Sequence, residues 1–123
     1  MHKMQTVDLE GRVYPAGYRV LTKELKSLGL RNNPNIIQYP IGEWYFLPAE
    51  QLKRGKEDWG GIWVARNLSF ARNLVKYMKE KHNVETRVFK AAIDRILYNG
   101  SSYRVKTNGI YLIEELPIVL KRS

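Results

Sequence analysis

Only one stretch of this chain carries a long helical period. Asn67 is a good helix cap, and after it Leu68, Ala71, Leu74, Val75 and Met78 recur at three- and four-residue spacing. That spacing predicts a helix over residues 68–81 with a single apolar stripe. One such helix in 123 residues leaves most of the core to strands. Strand-like segments do cluster on both sides of it. Tyr18 and Val20 alternate after a Pro-Ala-Gly turn, and Ile62, Trp63 and Val64 are β-formers. Residues 84–93 and 102–120 also alternate. The second of these contains Asn108-Gly109, a pair that predicts a two-residue hairpin. Strands that cluster, instead of alternating with crossover helices, make an α+β fold. The expected architecture is a mainly antiparallel, bent or split sheet with one main helix.

One or two short helices are expected beside it. Thr22 as N-cap, with Glu24 in the first turn, opens one through Leu28 that Gly29 would stop. Pro48 opens a helical turn over residues 49–52. Two short strands are expected around a turn at residues 40–42. Residues 30–35 read as a loop, residues 53–61 as a charged, glycine-rich connection, and residues 1–10 as a loose tail.

The length fits a single domain spanning 1–123, and 44% hydrophobic residues suffice for a compact core. No apolar run is long enough for a membrane span, and the N-terminus has no secretory h-region. There is no cysteine, which excludes disulfides, thiolate metal sites and cysteine nucleophiles, and fits a reducing, cytoplasmic setting. His2 and His82 are the two histidines and are far apart in sequence, so no metal site and no cofactor are expected.

Charge is the strongest global signal. Twenty-one Lys and Arg against 12 Asp and Glu leave a formal +9. An excess of that size favours polyanions: DNA or RNA first, an acidic protein second. Arg72, Lys76 and Lys79 recur at i, i+4, i+7, off the apolar stripe, with Arg66 nearby. Long cations in that pattern can meet successive phosphates; the plainer reading is a solvated helix face. Trp59 lies in the charged connection, where an exposed ring can stack on a base. Trp44, Tyr45 and Phe46 are consecutive, so a strand there shows rings on both faces, as core packing would also require. No helix-turn-helix, finger or RNP signature accompanies these residues, so binding through phosphates without sequence reading is the leading expectation.

Two adjacent carboxylates, Glu114 and Glu115, fall in the last long strand. Alternation sends them to opposite faces, Glu114 with Leu112 and Leu116. A carboxylate among leucines needs a partner, and Arg19 or Arg104 can serve.

The order of these elements resembles the ADP-ribosyltransferase-like fold superfamily. "GYRVL" supplies Arg19 on an early strand, "GGIWVARNLSFARNLVKYM" a middle strand and helix, and "IYLIEEL" a late glutamate, over roughly residues 13–117. The middle strand reads Trp63 to Asn67 where the arginine-type pattern has Ser-Thr-Ser. The resemblance implies a split sheet with a cleft. It also implies an alternative function, NAD-dependent transfer, with Arg19 on NAD and Glu114 or Glu115 orienting the ribose.

Overall fold

The computed structural model describes residues 4–29, 36–57 and 59–118. The loop expected at 30–35 and His2 lie outside them. Eight strands form one antiparallel sheet: β1 (Gln5–Leu9), β2 (Arg12–Thr22), β3 (Trp44–Phe46), β4 (Ile62–Ala65), β5 (Thr86–Ile93), β6 (Ile96–Tyr98), β7 (Arg104–Thr107) and β8 (Gly109–Leu116). Their spatial order is β3-β8-β5-β2-β4-β7-β6, with β1 also pairing β2. One helix, α1 (Leu68–His82), follows β4, and a 3-10 turn spans Ala49–Gln51 behind Pro48. The α+β fold expected from the sequence is the one observed.

The helix forms where its period predicts. Asn67 Oδ1 accepts the Phe70 N–H at 3.1 Å, satisfying one orphan donor of the first turn. Asn83 ends the helix in the left-handed region, returning its N–H to Lys79 O. Ala71, Val75 and Met78 are buried, and Leu68 and Leu74 are half-buried. Removing side chains the size of valine and methionine from water contributes about 1.5–3 kcal/mol each.

Strand alternation builds two cores on opposite faces of the sheet. Val20 and Val88 pack under α1 with Ala71 and Val75. Their neighbours Leu21 and Phe89 point the other way, into a core shared with Ile62, Val64 and Val105. That second core lies between the β2-β5-β8 half of the sheet and the β4-β7 half, which is possible only if the sheet folds over. The fold-over is made at β2. Along one edge β2 pairs with β5 from Ala16 to Thr22, but on the other edge it meets β4 only at Tyr18↔Ala65. Gly17 permits that contact, since a Cβ there would stand 2.8 Å from Ala65 O. Beyond it β2 and β4 separate, and the sheet is split.

Several local expectations are corrected. Residues 22–28 form no helix. Thr22 is the last rung of the β2–β5 ladder, and its Oγ1 accepts the Lys26 N–H at 3.0 Å in a turn with Leu25 at φ 65°. The ladder claims the cap residue first, so helix nucleation has no start. Of the two strands expected around residues 40–42 only β3 forms; Gln38 and Ile41 make isolated bridges. The loose tail is also overturned from Gln5 onward. Those residues pair with β2 through a two-residue turn at Glu10 and Gly11, both at positive φ, with Asp8 Oδ1 accepting the Gly11 N–H.

The Asn108-Gly109 hairpin does not exist. β7 pairs with β4 and β6, whereas β8 pairs with β3 and β5, so Asn108 carries the chain from one half of the split sheet to the other. Asn108 is buried; its Oδ1 accepts the Arg95 N–H at 2.8 Å and its Nδ2 donates to Asp94 at 3.0 Å. The glycine serves packing, because a Cβ at Gly109 would lie 2.3 Å from the Phe46 ring. No helix among the described residues is long and apolar enough to cross a membrane.

Candidate binding cleft

The split opens a cleft of about 720 Å³, within the range of small-ligand sites. Tyr18 and Arg19 of β2 form one wall and Trp63 of β4 the other. Phe70 and Leu74 of α1 close one end, and Lys53 and Trp59 of the glycine-rich connection reach it from the rim. Tyr103 and Arg104 lead into β7. The lining is largely apolar, with aliphatic side chains such as Val20, Leu52 and Val64 beside the aromatic rings; among the described lining residues Arg19, Lys53 and Arg104 are the cations and Glu50 the carboxylate, and Lys53 also lies 4.0 Å from Glu57.

Each cation is held by an aromatic ring. The Arg104 guanidinium lies 3.9 Å from the Trp63 ring centroid, and Lys53 Nζ lies 4.3 Å from that of Trp59. Arg19 spans the split. Its Nη1 donates to Trp63 O at 2.7 Å, and Nη2 reaches Tyr39 Oη at 3.3 Å. Its Nε is buried without a hydrogen-bond partner, a cost accepted where two strands come apart. Trp59 is 52% exposed and Tyr103 47%, so two large rings stand open to solvent on the cleft rim. Exposed Lys53, Arg54 and Lys56 follow one another beside it.

The residues singled out from the sequence are dispersed. Arg19 and Trp59 enter the cleft together. Arg66 does not belong to an exposed basic face: it is 7% exposed, donates from Nε to Ser101 O at 2.7 Å, and touches Met4 Sδ through Nη1. Burial pulls its pKa below the usual arginine value. It anchors the start of β1 and the loop before β7.

Arg72, Lys76 and Lys79 are exposed, as the helical period requires. Lys76 lies 3.8 Å from Glu80, and Lys79 lies 4.0 Å from Glu85, which Lys23 also contacts. Two of the three stripe cations thus already have anions. At about 100° per residue, the stripe leaves α1 on the flank opposite Phe70 and Leu74. It does not continue the cleft.

Glu114 and Glu115 are both exposed and neither lines the cleft. Arg87 binds Glu115, with contacts of 2.7 and 3.0 Å that hold its carboxyl below the usual range, while Arg19 and Arg104, the partners expected for Glu114, line the cleft that Glu114 does not reach. The expected grouping of Glu114 with Leu112 fails at a bulge. Lys90 pairs with Glu114 but Ala91 pairs with Leu112, so Ile113 is an extra residue and the alternation shifts.

Lys53, Trp63 and Tyr103 are cleft residues that sequence reasoning did not single out, and Arg104 enters that reasoning only as a partner for Glu114. Tyr103-Arg104 beside the Trp63 strand is an aromatic-basic pairing visible in the sequence, but only the β4–β7 register, Ala65↔Arg104, brings it to the cleft. Among the described residues no group of histidine, aspartate or glutamate gathers to hold a metal.

No family model matches this chain, no curated protein matches it, and no solved structure matches its fold.

Proposed function

We propose that this protein binds single-stranded nucleic acid without strong sequence preference, and that the cleft is where it does so. The observation that carries the reading is the Trp59–Lys53 pair on the rim of a largely apolar cleft that also holds Arg19 and Arg104. A π-face and a cation at one place match a base and its phosphate, and stacking tolerates any base. Unpaired strands suit the site better than duplex, whose bases present no open π-face. The +9 charge supplies long-range attraction and a steep salt dependence. The absence of cysteine fits the cytoplasmic setting where such a partner occurs.

A second reading, an NAD-dependent transferase of the ADP-ribosyltransferase-like kind, draws on the split sheet and on Arg19 beside the split. It lacks support from Glu114 and Glu115, which stand outside the cleft. Among the described lining residues Glu50 is the carboxylate left to such a mechanism.

The test is a fluorescence titration with oligo(dT) and oligo(U) at low salt, repeated with a duplex and with polyglutamate. Quenching by the single strands, lost in Trp59→Ala, is expected. No binding to any polynucleotide at about 50 mM salt overturns the reading. Equal binding of polyglutamate replaces it with an acidic protein partner. Binding of NAD with turnover would favour the second reading.

A further inference from the structure

Two features of the cleft interior are not used by a strand lying on its rim. The first is its apolar surface. Val20 and Val64 are buried there, and Leu52, Phe70 and Leu74 are half-buried and line it. A concave, mostly apolar space of about 720 Å³ has the size of a small-molecule site, and a phosphate backbone gains nothing from such a lining.

The second feature is the charge of Arg19. Its guanidinium meets Trp63 O, Tyr39 Oη and the face of the Tyr39 ring, with 5.1 Å to the ring centroid. Among the described residues no carboxylate is paired with it. Lys53 differs, because Glu57 lies 4.0 Å from it. Arg19 is half-buried where β2 and β4 part, and Tyr39 beside it is 3% exposed. A neutral amide suffices to bridge a carbonyl and a hydroxyl. A permanent charge in that place gives up hydration, and no anion among the described residues offsets the loss.

A ligand that carries its own anion offsets it. We infer that the cleft interior takes a small amphipathic acid, with its apolar body on Leu52, Phe70 and Leu74 and its single acid group on Arg19. A guanidinium and a carboxylate form charge-assisted hydrogen bonds, the stronger kind. The contacts Arg19 already makes with Trp63 O and Tyr39 Oη hold its remaining N–H donors in place before the acid arrives. Head and body are then recognised separately, the sign of charge at Arg19 and the apolar length along the aliphatic lining. This site goes beyond the nucleic-acid reading and does not rest on it, since it uses neither Trp59 nor Lys53.

The experiment is calorimetry on the full chain, without oligonucleotide, using decanoate, decanol and decylammonium below their micelle-forming concentrations. Decanoate is expected to bind one to one and about tenfold tighter than decanol, with decylammonium weakest. Shortening decanoate to octanoate is expected to lose about fourfold for each methylene removed, and acetate is expected not to bind. The preference for acid over alcohol is expected to survive about 1 M salt, where the field of distant charges is screened beyond about 3 Å but a contact pair is not. Arg19→Gln is expected to bind decanoate and decanol alike, and Leu74→Trp, which fills the apolar end, to bind neither. The inference is overturned by absence of saturable decanoate binding, by equal affinity for acid and alcohol, or by a preference that disappears at high salt. It is also overturned if Arg19→Gln keeps the preference, if Leu74→Trp binds undiminished, or if decylammonium binds tightest, which would give the head group to Glu50. If either variant does not fold, the head-group and salt series on the wild type decides alone. Decanoate binding by a protein that binds no oligonucleotide would sink the nucleic-acid reading and leave this site standing.

Discussion

Phe70 and Arg72 leave the same helix two residues apart and reach different surroundings. Phe70 turns with Leu74 into the cleft, where Arg19, Lys53 and Arg104 converge on aromatic rings from separate elements. Arg72 turns with Lys76 and Lys79 to open solvent, where Glu80 and Glu85 lie close to the lysines. In sequence the second set is the more conspicuous, because its spacing is regular. In the fold the first set is the one that converges on a concave surface. Its cations lie against rings and beside a concave surface, where less of each interaction is lost to water. Regular spacing of charges on a helix reports a solvated face; convergence of charges from distant segments reports a place where a ligand can sit.

The largest expected effect removes the platform common to both flanks. Met78→Ala empties a fully packed position between α1 and the sheet and should cost about 2–5 kcal/mol in urea unfolding. A change within experimental error would show that α1 is not held by this face, and the two-flank comparison would lose its geometry.

Next is the cleft itself. Trp59→Ala should weaken single-strand binding by about 1–3 kcal/mol, the worth of one stacked base, with little loss of stability, because the ring is half in solvent. If binding survives intact while Arg104→Ala abolishes it, the stacking wall is Trp63 and not Trp59.

A smaller effect separates the glutamates from the cleft. Glu115 has its folded pKa depressed by Arg87, so its contribution is present above the unfolded carboxylate pKa and is lost as pH falls through the lower folded value. Both side chains are substantially solvated, so the contribution is at most about 1 kcal/mol. Glu115→Gln should therefore flatten the acid side of the stability profile slightly and leave oligonucleotide affinity unchanged. A large loss of binding would return Glu115 to the site.

The smallest effect is expected for Arg72→Gln/Lys76→Gln/Lys79→Gln. Three lost phosphate contacts on a single strand would reduce the slope of log K against log salt by about 2. The comparison of the two flanks predicts a reduction below that of one contact, about 0.7. A reduction near 2 would move the interface to the outer flank of α1.

Some of this was readable in the sequence because it is short-range. The helix, its cap at Asn67 and its buried stripe depend on side chains three or four residues apart, and they formed as the period dictates. The failures share a cause. Thr22 and Asn108-Gly109 carry local signals for a helix start and a hairpin, but each sits where a long-range ladder already claims the backbone: Thr22 opposite Thr86, Gly109 opposite Phe46. Sheet pairing there satisfies the same donors and acceptors and adds burial, so it overrides the local preference. Arg66 failed as an exposed cation because burial depends on β1 and the loop at Ser101, neither of which is near it in sequence.

The sequence by itself determined the α+β class, the position and inward face of the one helix, and the excess of positive charge. These follow from composition and from periods that any local chain segment must obey. Only the tertiary structure decided which cations and rings come together. Arg19, Lys53, Trp59, Trp63 and Arg104 meet because β2 and β4 touch at a single pair and then part, and because β7 is laid beside β4. That meeting depends on pairings between residues tens of positions apart, for which one sequence carries no local signal.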